Sequence, residues 1–357
     1  MAAAKKNTTT TTTGDDLSDL LQKLLVTQNK GRADDDRYKE ELARTQFRIF
    51  TPISEKGFFT WKPNGPSKSF DQVTSAEEIE SCIQTSGMPP TLVPLSRIAL
   101  PHVFHSLPPD LKENTFPYGQ LDITALHVAA KHRGVNWRDI DFALGGSTLE
   151  MLANRDASDP YLATIVPGTE TIMVVKRKSY FHDRSQVGFQ FERLVTGQAM
   201  DTTHSAWEFT EHLHVMKVGE YRVLFRAEAD AMKQPGSALV EVKASNPQYW
   251  GTKVMFQMIS NGSTDLCHGV KGRGKLRKIN MLSLSNVTAD ALRKHNVRTL
   301  ETNILDGMNS LKDQMKNARA NEVFRVSFSG GSLKLESTRR GEFTLLPAED
   351  IVKELIL

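Results

Sequence analysis

Apolar positions recur in two rhythms along the chain, and the switches between them outline its elements. From about Arg44 the rhythm is that of strands: Phe47, Ile49, Ile53, Phe58, Phe59 and Trp61, closed by the turn cluster Pro63-Asn64-Gly65-Pro66. Residues 85–120 hold many of the prolines and read as a long irregular segment. From Thr164 strands dominate, through Ile172, Val174 and Val175, then 215–228, then 239–243. Two helices interrupt them. One carries Phe191, Leu194 and Val195. The other opens at Asn246-Pro247, an N-cap followed by proline at the first helical position, and stops before Asn261-Gly262. Residues 286–320 suggest a further helical stretch, and no internal repeat is visible. Residues 1–37 lack these rhythms. The homopolymer Thr8 to Thr13 and the run Asp34 to Asp36 read as a disordered tail ahead of a single domain spanning 38–357. Within the tail, Leu17, Leu20, Leu21, Leu24 and Leu25 fall at helical spacing, which suits a transient helix or a partner-docking one.

Composition narrows the class. Of the 357 residues 39% are hydrophobic, enough to bury a core. No apolar run reaches the ~18 residues of a membrane helix, and the first ten residues contain no apolar signal core. A nuclear or cytoplasmic protein is expected. Cys82 and Cys267 stand far apart without a CxxC, so neither a disulfide scaffold nor a structural zinc site is expected. The 45 basic against 42 acidic residues leave a charge of +3, so any basic surface must come from local clustering.

Candidate chemistry concentrates between Tyr221 and Gln257. Two strand-like runs flank the turn cluster Lys233-Gln234-Pro235-Gly236-Ser237, the pattern of a hairpin. Alternation puts Glu228 and Asp230 on one face, and Glu241 and Lys243 on one face of the neighbouring strand. Should these faces coincide, three carboxylates and one ammonium meet. Such carboxylates repel one another unless a cation lies between them, and hard divalent cations prefer carboxylate oxygens. In the helix that follows, Trp250, Val254 and Gln257 share a face, and Gln257 points toward the same place. Upstream, Glu192 of Gly188-Phe189-Gln190-Phe191-Glu192 lies one turn into the other helix. Each residue taken alone also fits an ordinary solvated face.

In order and spacing, GFQFE (188–192), EAD (228–230), EVK (241–243) and Gln257 resemble the motifs of the DXO/Rai decapping-nuclease family, with a PD-(D/E)xK-like core. Trp250 and His268-Gly269-Val270-Lys271 add to the likeness, which runs faintly from about 45 to 340. The resemblance implies an α+β fold, a mixed two-sheet nuclease core with flanking helices. It implies two divalent ions, Mg²⁺ or Mn²⁺, and action on RNA 5′ ends: removal of incomplete or atypical caps (including NAD caps), pyrophosphate release from 5′-triphosphates, or 5′–3′ degradation. By that likeness Glu192, Glu228, Asp230 and Glu241 would bind metal. Asp230, Glu241, Lys243 and Gln257 would serve catalysis, with Lys243 orienting or activating water. Glu192, Lys243, Gln257 and Lys271 would contact substrate.

One departure stands out. The family carries an arginine, followed by glycine, near an apolar Asp-Phe stretch. Here Asp141-Phe142-Ala143-Leu144-Gly145-Gly146 puts Gly145 at that place, with Lys131, Arg133 and Arg138 as nearby substitutes and a positive φ as a further reason for glycine. Two function classes follow: an active 5′-end hydrolase, or a catalytically weak relative that binds RNA or scaffolds a 5′–3′ exoribonuclease. Other patterns carry less. Asp15-Asp16-Leu17-Ser18-Asp19 matches DDxxD but lies in the tail. His102 and His105 lack nearby ligands and suit loop packing. The basic glycine-rich stretch from Gly269 to Lys278 is not a P-loop; it suits a solvated hairpin or a phosphate-contacting edge.

Overall fold

The computed structural model describes residues 36–38, 40, 47–61, 76–81, 83–104, 124–158, 160–176, 186–198, 209–247, 250–272, 275–320, 322–338 and 349–356. The DDxxD match, His105, Cys82 and the Pro63–Pro66 turn lie outside them. Among the described residues, fourteen strands fall into two sheets. The nine-stranded sheet contains β1 (Phe50–Trp61), β2 (Ile83–Gln84), β4 (Phe142–Leu144), β5 (Tyr161–Ile165), β6 (Ile172–Lys176), β7 (Phe209–Val218), β8 (Tyr221–Glu228), β13 (Phe324–Ser329) and β14 (Ser332–Ser337). Its order is β14-β13-β5-β6-β4-β8-β7-β1-β2. The five-stranded sheet runs β3 (His102–Val103), β12 (Lys275–Ser283), β11 (Asp265–Gly272), β10 (Leu239–Lys243) and β9 (Ala231–Met232). The helices are α1 (Ala76–Ser81), α2 (Gly146–Asn154), α3 (Gln186–Thr196), α4 (Lys253–Asn261), α5 (Leu284–Ala291), α6 (Val297–Met315) and α7 (Glu349–Ile356). The architecture is thus α+β on two sheets, as the resemblance implies.

The apolar alternation explains how the layers stack. Phe142, Val223 and Phe225 of the large sheet meet Val254, Phe256 and Ile259 of α4, Leu149 and Leu152 of α2, and Ile304 and Met308 of α6 in one core. On the small sheet Val240 and Val242 of β10, with Cys267 and Leu276, face Phe191 and Val195 of α3. Glu241 and Lys243 alternate with those valines and take the other side of β10, toward α4.

Two expectations need correcting. The run 221–230 does not form one strand of a hairpin with β10. β8 pairs with β7 and β4 in the large sheet, and β10 pairs antiparallel with the two-residue β9 instead, through Leu239↔Met232 and Val240↔Ala231. The chain leaves one sheet and enters the other at Ala229-Asp230. The helix after β10 also starts late. Asn246-Pro247 opens a turn closed by Trp250 N–H donating to Pro247 O at 3.0 Å. Gly251 at φ +50° then breaks it, and α4 begins only at Lys253, so Trp250 precedes the helix and does not share its face.

Residues 36–38 are helical and anchored. The Arg37 guanidinium donates to both oxygens of Asp265 at 3.1 and 3.2 Å, and the Tyr38 hydroxyl donates to Ile259 O at 2.7 Å. The boundary expected at 37/38 falls inside this contact. Deleting residues 1–35 should leave the melting temperature nearly unchanged, because that composition buries little apolar surface. Deleting through Tyr38 withdraws a buried ring and its hydrogen bond, worth roughly 2–4 kcal/mol. It should lower the melting temperature by about 5 °C or more, as a thermal scan of the two truncations would show.

Candidate active site

The sheet switch builds the site. After Val240↔Ala231, the hairpin register would place Asp230 opposite Glu241. The Asp230 backbone turns away instead, and its carboxylate accepts Val242 N–H at 2.7 Å. A side chain thus stands where the next strand residue would have been. Lys243 Nζ lies 3.5 Å from Asp230 Oδ2 and pairs directly with Glu241 Oε1. Glu241 is 3% exposed.

From the opposite side, α3 brings Glu192 into the same field. Its carboxyl is held well above the ordinary carboxylate range, first by burial and then by the charges of Asp230 and Glu228. Burial and Asp230 likewise push Glu241 up to about 7. Lys243 shows the converse: burial would lower its ammonium, but Asp230, Glu241 and Glu192 carry it well above its usual value. The four carboxylates named from the sequence therefore share one electrostatic site with Lys243. Oxygen donors that raise one another's pKa fit a divalent cation.

Asn261 is the site residue that sequence reading missed. It is 1% exposed. Its amide donates to Glu241 Oε2 at 2.6 Å and to Glu228 O at 3.3 Å, and its Oδ1 accepts Ser263 N–H at 2.9 Å. Both amide contacts tie the two acidic segments to the end of α4. The only signal for it was the Asn-Gly pair at a helix end, which marks a C-cap and not a role. Gln257 lies one turn earlier on α4, and so on the same side. Its Oε1 is buried without a hydrogen-bond partner, which leaves an acceptor available to a ligand. Gly146, at the start of α2, packs against Gln257 and Ser260 so closely that a Cβ there would fall 2.1 Å from Ser260 Oγ. Gly145 is not constrained in this way: its φ is −107°, and a Cβ would meet only Arg226 O at 3.6 Å. The positive φ considered for it is absent.

Lys271 is exposed on β11, three residues and roughly 10 Å beyond His268. His268 itself is the partner of Lys243 in the ladder. Lys275, Arg277 and Lys278 are exposed with Lys271 on the β11–β12 hairpin. The rest of the motif supports the strand. His268 Nε2 donates to Ser245 O at 2.9 Å, and Trp250 Nε1 donates to Ser245 Oγ at 2.7 Å. His102 packs edge-on against Phe104. Burial and then Asp230 push the Cys267 thiol up to about 12, so it stays protonated.

Behind Asn261 lies a buried imidazole pair on β7. His212 Nδ1–H donates to Asn261 O at 2.8 Å, and His214 Nδ1 lies 3.3 Å from His212 Nδ1. Burial lowers His212 to about 4 and His214 well below its ordinary value of 6.5. Rings that stay neutral when folded but take up protons when unfolded cost no stability above pH 6.5. Below it they favour the unfolded chain progressively, as pH falls toward 4. Taken alone, this contribution lowers the melting temperature across that window, and His214→Phe should remove part of it.

No family model and no curated protein sequence matches the chain. Solved structures do. S. pombe Rai1 in complex with 3′-FADP superposes with a TM-score of 0.57 at 15% identity, covering 81% of this chain and 95% of that one. Candida albicans Rai1 in complex with pU5-Mn²⁺ gives 0.57 at 12%, covering 87% and 98%. K. lactis Dxo1 in complex with manganese gives 0.54 at 11%, covering 84% and 92%. No helix among the described residues is long and apolar enough to cross a membrane. With two sheets in this arrangement and these superpositions, the chain has the fold of the Rai1/Dxo1 decapping-nuclease structures.

Proposed function

We propose that this protein is a metal-dependent hydrolase of RNA 5′ ends, acting on incomplete or atypical caps or 5′-triphosphates. The observation that carries this reading is the contact of Asp230 and Glu241 with Lys243 on β10, with the Glu192 carboxyl raised by burial and by Asp230 and Glu228. The Rai1 complexes with 3′-FADP and with pU5-Mn²⁺ support a nucleotide or RNA ligand and a divalent ion. Those four carboxylates would hold two ions, Mg²⁺ or Mn²⁺. Bound there, divalent ions supply activated water and charge neutralisation at the leaving oxygen.

The chain's own groups divide the remaining work. Lys243, held between Asp230 and Glu241, would orient or activate the attacking water. Gln257 Oε1 accepts a hydrogen from the water or from a substrate hydroxyl. Asn261 fixes the Glu241 carboxylate by its amide. Lys271 and the basic hairpin contact the RNA backbone further along, where salt-sensitive phosphate contacts suffice.

Incubating the protein with 5′-triphosphate, NAD-capped and unmethylated-cap RNAs, with Mn²⁺ or with chelator, tests the reading. Metal-dependent release of the 5′ group is the expected result. Gly145 favours a second reading, a weakly catalytic RNA-binding partner of a 5′–3′ exoribonuclease. Tight RNA binding without turnover would support that one.

A further inference from the structure

A second cluster of metal-binding chemistry lies apart from the carboxylates. His127 and His132 flank a π-helical turn, Val128–His132. Five residues apart on a regular α-helix, they would point roughly 140° away from each other. Here Arg133 N–H donates to Val128 O at 3.1 Å, an i→i+5 bond that brings the two positions back over one another. Turns of this kind are rare and recur at functional sites. The imidazole centroids lie 5.8 Å apart. Both Nε2 atoms converge on one oxygen of Glu80, on α1: His127 at 2.6 Å and His132 at 2.7 Å. His127 is 2% exposed, while the side chains of His132 and Glu80 are 32% and 40% exposed and open the cluster to solvent.

We infer that Glu80, His127 and His132 bind a single divalent transition-metal ion of the Zn²⁺ type, pinning α1 to the π-turn. Two imidazole nitrogens and one carboxylate oxygen make a three-ligand zinc set with a fourth position for water. Imidazole donors select against Mg²⁺ and Ca²⁺, which take oxygen ligands, so this site is chemically distinct from the cluster at β10. Zinc bonds of about 2.0–2.2 Å would set the donor atoms roughly 3.4 Å apart. The present contacts need to open by less than about 1 Å, which the partly exposed Glu80 side chain can provide. α7 packs against both α1 and the π-turn, so the ion would brace three segments.

Co²⁺ titration of the full chain, followed by visible absorption, tests this directly. The Glu241→Gln background weakens binding at the β10 cluster. One equivalent of Co²⁺ should give the intense bands of four-coordinate cobalt, and one equivalent of Zn²⁺ should displace it. His132→Ala and Glu80→Gln should each weaken binding at least about tenfold and leave RNA hydrolysis in the otherwise wild-type chain unchanged. Both changes are at exposed positions, and Glu80→Gln keeps the shape if the histidine variant fails to fold. Absence of the bands overturns the assignment. So does a signal that persists in both variants, or one present in wild type and lost only with Glu241.

Discussion

Glu241→Gln is expected to cut hydrolysis by at least about a hundredfold while leaving the metal-free protein as stable as the wild type, or more so, at pH 8. The change removes one charge and, with it, Glu241's half of the Lys243 ion pair. A glutamine Oε1 still accepts the Asn261 amide, and Lys243 retains Asp230. Loss of an ion's supporting groups alone costs 10–100-fold, and Glu241 would be a direct ligand. The stability part follows from linkage. Folding raises this carboxyl from 4.5 to about 7, so its favourable contribution is whole below pH 4.5 and is lost as pH rises through 7. The metal-free wild type should therefore lose stability across that window. The glutamine variant should lose less, because the buried Glu192 carboxyl, also raised by folding, remains in both proteins, and divalent cation should restore the wild type more fully. The His212–His214 effect has the opposite sign and persists in both proteins. Thermal scans against pH in chelator, with and without Mn²⁺, separate the two. Turnover near the wild-type rate in Glu241→Gln would refute the metal site.

Gly145→Arg is expected to tighten binding of 5′-phosphorylated RNA by about tenfold or more. Gly145 follows Leu144, which pairs with Phe225, and lies beside the Arg226 carbonyl, two residues before Glu228. Its neighbour Gly146 rests against Gln257. The position therefore borders the carboxylates, and its extended backbone accepts a side chain. Arg133 cannot substitute from where it is, since its guanidinium donates to the carbonyls of Phe58 and Thr85. Two effects compete. A cation at the N-terminus of α2 opposes the helix dipole by about 0.3–1 kcal/mol. Charge-assisted hydrogen bonds to a phosphate contribute roughly 1.5–3 kcal/mol each. Binding gains should prevail, at a small loss of stability. RNA affinity of the folded variant decides the matter: unchanged affinity and unchanged end preference would show that Gly145 does not stand in for a recognition arginine.

Local chemistry made part of this site legible, and long-range chain routing hid the rest. The turn at Lys233–Ser237 and the alternation of 239–243 were legible, because both depend on residues close in sequence, and they reappear as the β9–β10 pair and the strand β10. Glu228 was assigned to the wrong strand pair, since it ends β8 in the large sheet. Its strand reads the same whether it joins one sheet or the other, and only the tertiary fold makes the chain cross at Ala229. The start of α4 was misjudged because the Asn246-Pro247 signal is real but initiates a separate turn, which Gly251 ends. Asn261 was visible as a helix stop. Its bonds to Glu241 and Glu228 span 20 and 33 residues, a reach no local pattern reveals. The π-turn at Val128–His132 has no signature in apolar periodicity either, so two histidines five apart read as unrelated.

The Asp230 carboxylate on Val242 N–H also bears on whether copies of the protein can pair through this strand. A strand edge with free N–H groups is a template for a foreign strand, and natural proteins blunt such edges with charge. Here one acidic side chain blocks the ladder at the point where β9 ends. Asp230→Ala would unplug it, so a variant made to silence the enzyme should also self-associate at high concentration. Glu241→Gln leaves the plug in place. Sedimentation of the two inactive proteins should then differ, with only the alanine variant forming larger species.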